Sequence, residues 1–241
     1  KFYNHSKSKN YIFTVAIGDK YLKAWKKFAK NQWIEYCKNN SIGLAVIYKD
    51  IITKDDKLWK KPQWQKFLIG QYVIDNNLKI ENICYLDSDI LINPNSENIF
   101  KYNKKNKISL VSQINNLPYR NLNYIRRKIA FNRHHFLSNR YPLDSALFMN
   151  LNQIYKFHKK EPQSDFACMG LFMFNVNNFY KIMKKWFNNY DKRVQSLSGG
   201  GEEPLLNYEI LKHGKVNWLS YKFQALWTYE IAFKYSFLYS I

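Results

Sequence analysis

Two aspartates one residue apart, Asp87 and Asp89, are the residues whose type and spacing most clearly predict chemistry in this sequence. Neighbouring carboxylates repel each other and strands disfavour Asp, so a bound cation would remove the conflict. Hard divalent ions such as Mg2+ and Mn2+ take oxygen ligands and share their coordination shell with substrate phosphates. The competing interpretation is a solvated turn after a strand, because Asp-x-Asp triplets also occur by chance.

Three further acidic residues could accept a proton from a reacting group. Glu202 and Glu203 follow the glycine triplet 199–201, and Asp165 precedes an apolar run at 167–176. A carboxylate near the reacting bond can act as a general base. Glu202 and Glu203 are the preferred candidates, with a favourable charge at the start of a helix as the alternative explanation.

Alternating strands and helices place the aspartate pair at the carboxyl end of a core strand. Residues 11–18 predict a first strand, 21–39 a covering helix and 43–48 a second, parallel strand. A helix beginning at Pro62 leads to the strand at 83–92, which contains both aspartates. Open α/β sheets bind ligands at the carboxyl ends of their strands, so we expect the pair to face a nucleotide diphosphate.

The α/β pattern continues after a less regular, basic and aromatic segment at 117–158, which predicts a variable region of loops and short helices. Strands are predicted at 108–112, 167–176 and 216–219, and helices at 178–190, from 202 or 204 to 212, and after Trp227. We therefore expect one α/β domain over 1–241, with a mixed, mostly parallel sheet flanked by helices.

Charge and composition limit the classes of partner. The formal net charge of +20 attracts polyanions, nucleotides and acidic membrane surfaces. The sequence contains no run of about 18 apolar residues, so no membrane span is predicted. The three cysteines lack metal-ligand spacing and fit a reducing compartment. These features predict a cytoplasmic protein, with peripheral contact with an anionic membrane as one further expectation.

A basic segment is the feature that best fits nucleic acid. It contains Arg126, Arg127, Arg133 and Arg140 around the pair His134-His135. Basic groups bind phosphates, but no nucleic-acid recognition motif accompanies these residues. A solvated face is the preferred interpretation, and nucleic acid is not the expected partner.

Three stretches of the sequence resemble GT-A glycosyltransferases, especially the family 8 group of glycogenin and the lipopolysaccharide galactosyltransferases. The stretches are PQWQKF followed by YLDSDILI, ACMGLFMFNV at 167–176, and GGGEEPLLNYEIL at 199–211. The resemblance implies a GT-A fold with a nucleotide-sugar donor half at about 1–112 and an acceptor half at about 113–241. It also implies transfer to a hydroxyl group of a glycan, a lipid-linked sugar or a protein.

The resemblance implies roles for single residues. The base of a UDP-sugar donor would lie against the turn after the first strand, at Ala16, Ile17, Gly18 and Tyr21. Asp89 would ligate Mn2+ or Mg2+, Asp87 would contact the metal or the ribose, and Lys66 would lie near the diphosphate. For Lys66 the alternative is a solvated charge on the surface of a helix.

The remaining metal ligand and the stereochemistry stay open. In the family 8 group a late His completes the metal site, but His213 lies between a predicted helix and a predicted strand, so a structural or surface role is preferred. The third ligand is then missing, supplied by water, or replaced. The resemblance implies retention of configuration, in which the leaving phosphate can assist, whereas an inverting reaction would use one of the carboxylates.

Two other functions remain as alternatives. A sugar nucleotidyltransferase shares the sheet and the metal carboxylates, but normally has a glycine-rich, basic loop after the first strand. Here Gly18-Asp19-Lys20 is followed by an aromatic helix. In a basic protein that binds nucleic acid or membrane without catalysis, the aspartate pair would be incidental.

Overall fold

The computed structural model describes residues 1–119, 121, 123–125, 127–129, 150–194 and 202–235. The strands are β1 (Phe2–Asn4), β2 (Asn10–Val15), β3 (Gly43–Ile47), β4 (Asn82–Leu86), β5 (Ile108–Ser112), β6 (Ala167–Asn175) and β7 (Val216–Leu219). They form one sheet in the order β1-β3-β2-β4-β6-β5-β7. The strand predicted at 83–92 is shorter than expected, because the chain leaves the sheet after Leu86 and turns at Asp87.

The sheet is mixed, as predicted, and its pairings are evenly divided. β2 lies parallel to β3 and β4, and β5 lies parallel to β7. β6 is inserted between β4 and β5 and runs antiparallel to both, and β1 is antiparallel to β3. A parallel majority is therefore absent among the described strands. The alternation of strands and helices specifies the parallel crossovers around β2, but it does not reveal that β6 enters the sheet from the carboxyl edge.

Helices cover both faces of the sheet. They are α1 (Asp19–Phe28), α2 (Lys30–Asn39), α3 (Pro62–Gln65), α4 (Ile69–Asp75), α5 (Leu151–Phe157), α6 (Val176–Asn188), α7 (Glu203–His213) and α8 (Trp227–Lys234). The helix predicted at 21–39 is two helices that meet at Ala29. The helix beginning at Pro62 is interrupted by a 3-10 turn, Lys66–Leu68, before α4.

Alternating side chains divide the core into two layers. On one face Phe13 packs with residues of α3, α4 and α6, whereas on the other face Ile12 packs with Trp25 of α1 and Trp33 of α2. Both tryptophans are fully buried. Many of the aromatic residues, which make up 18% of the sequence, therefore pack in the core. Among the described residues, no helix is both long enough and apolar enough to cross a membrane.

Several residues considered above lie outside the described part of the chain. They are Arg126, Arg133, Arg140, His134, His135 and the triplet Gly199-Gly200-Gly201. The interpretation that the basic segment is a solvated face, and does not bind nucleic acid, therefore stays a prediction. The cysteines are described: Cys37 and Cys84 are buried, Cys168 is partly buried, and all three are unpaired.

Lys60 is a fully buried cation, and we expect it to make stability depend on pH. Its Nζ donates to the carbonyl oxygens of Leu58 and Tyr190 at 2.9 and 2.8 Å. Burial lowers the pKa of Lys60 to about 8, although Asp191 and Asp56 oppose the shift. Between pH 8 and about 10.5, the pKa of an exposed lysine, the unfolded chain then binds more protons than the folded chain.

Stability should therefore rise with pH across that window, relative to a variant without the ammonium group. Between pH 7.5 and pH 10, we expect the free energy of unfolding of the wild type to increase by about 1–2 kcal/mol more than that of Lys60→Met, after allowance for solvent screening. Urea denaturation of both proteins at pH 7.5 and pH 10 measures the difference. Lys57→Met, at an exposed position, is the control and should show no such trend. An unchanged gap between wild type and Lys60→Met would contradict the prediction.

Candidate active site

The chain turns out of β4 at Asp87, and this turn fixes the residue on several sides. The Asp87 N–H donates to the carbonyl oxygen of Gly170 at 2.8 Å, and the Asp87 carbonyl accepts from the Ile90 N–H at 3.1 Å. The Tyr85 hydroxyl donates to Asp87 Oδ1 at 2.6 Å. Asp87 is half-buried, whereas Asp89 is exposed. The protein thus holds the first carboxylate in place and leaves the second open to solvent.

β6 carries a bulge beside Asp87. Leu110 of β5 pairs with Phe172, but Ser112 pairs with Ala167, so the ladder is interrupted over residues 168–171. A bulge leaves backbone groups without ladder partners and changes the direction of the strand. The bulge therefore needs hydrogen-bond partners from elsewhere in the chain.

Two ionisable side chains bind the bulge at Met169. Lys66 Nζ donates to the Met169 carbonyl oxygen at 2.8 Å. Glu203 Oε1 accepts from the Met169 N–H at 3.1 Å and from Gln113 Nε2 at 3.0 Å. Lys66 follows α3 and Glu203 begins α7, so the bulge is the point at which these elements converge.

Lys66 and Glu202 form a buried ion pair within this cluster. Lys66 is 1% exposed and Glu202 is 6% exposed. Burial alone would lower the pKa of Lys66, but the carboxylates of Glu202 and Asp87 outweigh burial and raise it. Burial also raises the pKa of Glu202, with Lys66 opposing and Asp87 adding to the shift. Lys66 is thus a protonated, buried cation and not a solvated helix charge.

A helix residue fixes the position of α7 against β6. Asn207 Oδ1 accepts from the Ala167 N–H at 2.7 Å, and Asn207 Nδ2 donates to the Ala167 carbonyl oxygen at 2.9 Å. Asn207 lies one turn after Glu203. The pair of hydrogen bonds therefore holds Glu202 and Glu203 at the start of β6, close to Lys66.

Asp165 lies at the junction of β5 and β6 and is buried. Its Oδ1 accepts from Ser112 Oγ at 2.6 Å and from the Phe166 N–H at 2.7 Å. These bonds close the end of β5 onto the start of β6. The structure shows this anchoring contact for Asp165, and a catalytic role for the residue stays a prediction.

The predicted base-binding turn lies level with the aspartate turn. Phe13 of β2 pairs with Tyr85 of β4 in a parallel register, so both strands end at the same edge of the sheet. After β2, Ala16 is buried, Ile17 is half-buried, and Gly18 and Tyr21 are exposed. Gly18 has a φ of +96°, a conformation that glycine adopts readily and other residues rarely do. The turn is thus placed where a ligand could bridge both strand ends, and its contact with a base stays a prediction.

Gly170 leaves room for two neighbouring side chains. A Cβ at this position would lie 2.7 Å from the side-chain amide of Gln224 and 3.0 Å from Asp87 Oδ2. In the orientation that satisfies both of its polar groups, the Gln224 amide donates to the Cys168 carbonyl oxygen at 3.1 Å and accepts from the Leu171 N–H at 3.2 Å. The glycine therefore allows Gln224 to bind the bulge and Asp87 to approach it.

If the aspartate pair binds Mn2+, as the sequence predicts, Gly170→Ala should displace Asp87 and weaken that binding about tenfold, because groups that orient a metal ligand typically contribute this much to affinity. Calorimetric titration with Mn2+ measures the effect. Gly214→Ala is the control, since a Cβ there meets no atom within 4 Å although its φ is +75°. The control should lose some stability and keep its affinity. Equal losses of affinity in both variants would count against the prediction.

The residues present fit a hard cation only in part. Asp87 and Asp89 supply carboxylate oxygens, and partial desolvation, followed by the proximity of Asp87, raises the pKa of Asp89. No group of three or more His, Cys, Asp or Glu side chains that could hold a metal occurs among the described residues. The arrangement fits an ion that takes two carboxylates and completes its shell with water and phosphate oxygens.

His213 lies away from this cluster. It ends α7, the helix that Glu203 begins, and a helix of that length spans about 15 Å. Its ring packs edge-on against Trp186 and Phe179. This environment agrees with the structural or surface role that the sequence favours for His213, whose side chain is exposed.

Tyr85, Gly170 and Gln224 also belong to the site, although they are not among the candidates predicted from the sequence. A signal existed for Gly170, because a glycine inside a strand often marks a bulge or a close approach. Tyr85 has the spacing of an ordinary core residue. Gln224 lies in a segment without any motif. Its role depends on contact with Cys168, a residue 56 positions earlier in the chain.

Comparisons with known proteins found a similar solved structure but no matching family model or curated protein. A solved structure to which the chain is similar is the galactosyltransferase LgtC in complex with donor and acceptor sugar analogues. The TM-score is 0.49 and the sequence identity is 10%, over 88% of this chain and 74% of LgtC. Similarity at this level carries no argument about function, which rests instead on the residues of the site.

Proposed function

We propose that the chain is a metal-dependent glycosyltransferase, which moves a sugar from a nucleotide-sugar donor to a hydroxyl group. The observation that carries the proposal is the aspartate turn after β4. Asp87 is oriented by Tyr85 and Gly170, while the exposed Asp89 has a raised pKa beside it. A pair of carboxylates at the carboxyl edge of an α/β sheet, one half-buried and one exposed, suits a cation that is shared with a diphosphate.

The two aspartates bind Mn2+ or Mg2+ in this proposal, with Asp89 as the more direct ligand. Asp87 accepts a hydrogen bond from Tyr85 through Oδ1, and its carboxylate keeps further acceptor sites for the metal or for a ribose. When bound, the cation supplies positive charge to the departing diphosphate. The donor, which we propose is a UDP-sugar, binds with its base against Ala16, Ile17, Gly18 and Tyr21.

Lys66 contributes to this site through the positive charge of its ammonium group, without direct contact with the donor. Its ammonium group is buried and engaged by Glu202 and Met169, so it is not available for direct contact with a diphosphate in this conformation. It lowers the excess of negative charge around Asp87 and keeps the bulge in place. Lys66 is therefore a positioning residue in this proposal.

The state of Glu202 and Glu203 bears on the stereochemistry. Glu202 is paired with Lys66, and Glu203 accepts hydrogen bonds from Met169 and Gln113. A carboxylate engaged in this way is poorly placed to take a proton from an acceptor hydroxyl. These contacts support transfer with retention of configuration, in which the leaving phosphate assists. In an inverting reaction, either glutamate would first have to leave its partner.

Calorimetric titration of the full chain with UDP, GDP and CMP, with and without Mn2+, tests the proposal. We expect one nucleotide diphosphate, UDP, to bind in the presence of Mn2+ and to bind much more weakly with EDTA. The corresponding UDP-sugars should release UDP slowly with water as acceptor. Absence of nucleotide binding under all conditions would overturn the proposal, and release of pyrophosphate from UTP and a sugar phosphate would instead indicate a sugar nucleotidyltransferase.

A further inference from the structure

One surface of α1 combines positive charge with exposed aromatic rings. The helix carries Lys20, Lys23, Lys26 and Lys27, all exposed, and its only acidic residue is Asp19. Within the described part of the chain, none of these lysines forms an ion pair. The helix therefore presents a positive charge that the described residues do not neutralise.

Two large apolar side chains share this surface. Tyr21 is 60% exposed and Phe28 is 63% exposed. They are seven residues apart, which places them on the same side of a helix, two turns from each other. The Lys27 ammonium lies 4.9 Å from the centre of the Phe28 ring. Only Trp25 is buried within the helix, so most of the α1 surface remains available to a partner.

We propose that α1 is the docking surface of the protein for an anionic lipid bilayer. Lysines bind the phosphate groups of such a surface, and their flexible stems let the charges stay in water while the Phe28 ring enters the interface. Tyr21, which lies at the turn proposed to hold the donor base, is not required for this contact. A nucleic-acid duplex would satisfy the lysines equally well, but its bases are stacked inside the helix and it provides no apolar layer for Phe28. The charge and the exposed Phe28 ring together therefore favour the bilayer.

The position of α1 gives this docking a consequence. The helix begins directly after Gly18, at the sheet edge that also carries Asp87. Docking through α1 would bring this edge close to the bilayer. The inference goes beyond the proposed glycosyl transfer and does not rest on it, because binding to vesicles can be measured without any reaction.

Helix α6 offers a matched control. It carries Lys181, Lys184 and Lys185, which are exposed and have the same spacing as Lys23, Lys26 and Lys27. The α6 helix packs on the opposite face of the sheet from α1. None of the exposed large hydrophobic side chains found in the described residues lies on α6. Replacing three lysines by glutamine in either helix changes the net charge equally.

Flotation of the full chain with vesicles tests the proposal. Wild type should bind vesicles of phosphatidylcholine mixed with phosphatidylglycerol, fail to bind phosphatidylcholine alone, and dissociate at high salt. The Lys23→Gln, Lys26→Gln, Lys27→Gln variant should bind about a hundredfold more weakly. The Lys181→Gln, Lys184→Gln, Lys185→Gln variant should bind like wild type. Circular dichroism confirms that each variant is folded.

Phe28→Ser separates a bilayer from other polyanions. This variant should bind mixed vesicles about tenfold more weakly, while its affinity for heparin and for duplex DNA stays unchanged. The proposal is overturned if wild type does not float with the mixed vesicles, or if both triple variants lose binding equally. It is also overturned if Phe28→Ser floats like wild type, an outcome that would indicate a general polyanion surface.

Discussion

Asp89→Ala should abolish the metal dependence of nucleotide binding and weaken the binding of UDP in the presence of Mn2+ at least about a hundredfold. The variant removes the exposed carboxylate and leaves Asp87 as the only acidic ligand in the turn. Asp87 alone supplies less negative charge and fewer oxygen ligands than the pair, so it should hold the cation much more weakly. Calorimetric titration with UDP, with Mn2+ and with EDTA, measures the loss.

Two further variants make this result specific. Asp87→Asn keeps an oxygen for the Tyr85 hydrogen bond and removes the charge, so its loss of affinity should be smaller, about tenfold. Asp55→Ala removes an exposed aspartate in the loop before α3 and should bind like wild type. If Asp89→Ala binds UDP with Mn2+ as tightly as Asp55→Ala does, Asp89 is not a metal ligand and the proposed function loses its main support.

The sequence predicts those parts of the site that depend on local pattern. Asp87 and Asp89 follow an apolar strand, and a strand, helix, strand alternation requires that strand to lie parallel to β2. The turn at Gly18 and the aspartate turn are therefore expected at one edge. The structure confirms this arrangement of the strand ends. Local periodicity was sufficient here because both turns directly follow buried strands.

The bulge of β6 was not predictable in the same way. The run at 167–176 reads as a continuous strand. Gly170 is a signal for a bulge or a close approach, but the run does not show that the whole stretch 168–171 leaves the ladder with β5. The bulge depends on Lys66, Glu203 and Gln224, which approach from three distant segments. Contacts of this kind depend on tertiary packing, which cannot be inferred from local residue patterns.

Burial of charge was equally hidden from the sequence. Lys57 and Lys61 are exposed, whereas Lys60 and Lys66 are fully buried. All four lysines lie within one short, basic stretch around the start of α3. Only the partners distinguish them: backbone carbonyls and a ring for Lys60, and a carboxylate for Lys66. This difference explains why a solvated charge was a reasonable alternative for Lys66.

Lys66→Met should destabilise the protein by about 3–5 kcal/mol, the usual effect of removing one member of a buried ion pair. The variant leaves the Glu202 carboxylate buried beside Asp87 without its cation, and it leaves the Met169 carbonyl oxygen without a donor. Guanidinium denaturation measures the free energy of unfolding. Lys9→Met is the control, because Lys9 pairs with Glu81 on the surface, and such pairs contribute little.

The double variant Lys66→Met, Glu202→Gln distinguishes an ion pair from two independent contributions. Removing both charges eliminates the unpaired carboxylate, so the double variant should be more stable than Lys66→Met alone and its effect smaller than the sum of the single effects. Additive losses would show that Lys66 acts mainly through Met169 and the bulge. In that case Mn2+ affinity should fall in Lys66→Met and stay low in the double variant, since the displaced bulge would no longer hold Asp87 through Gly170.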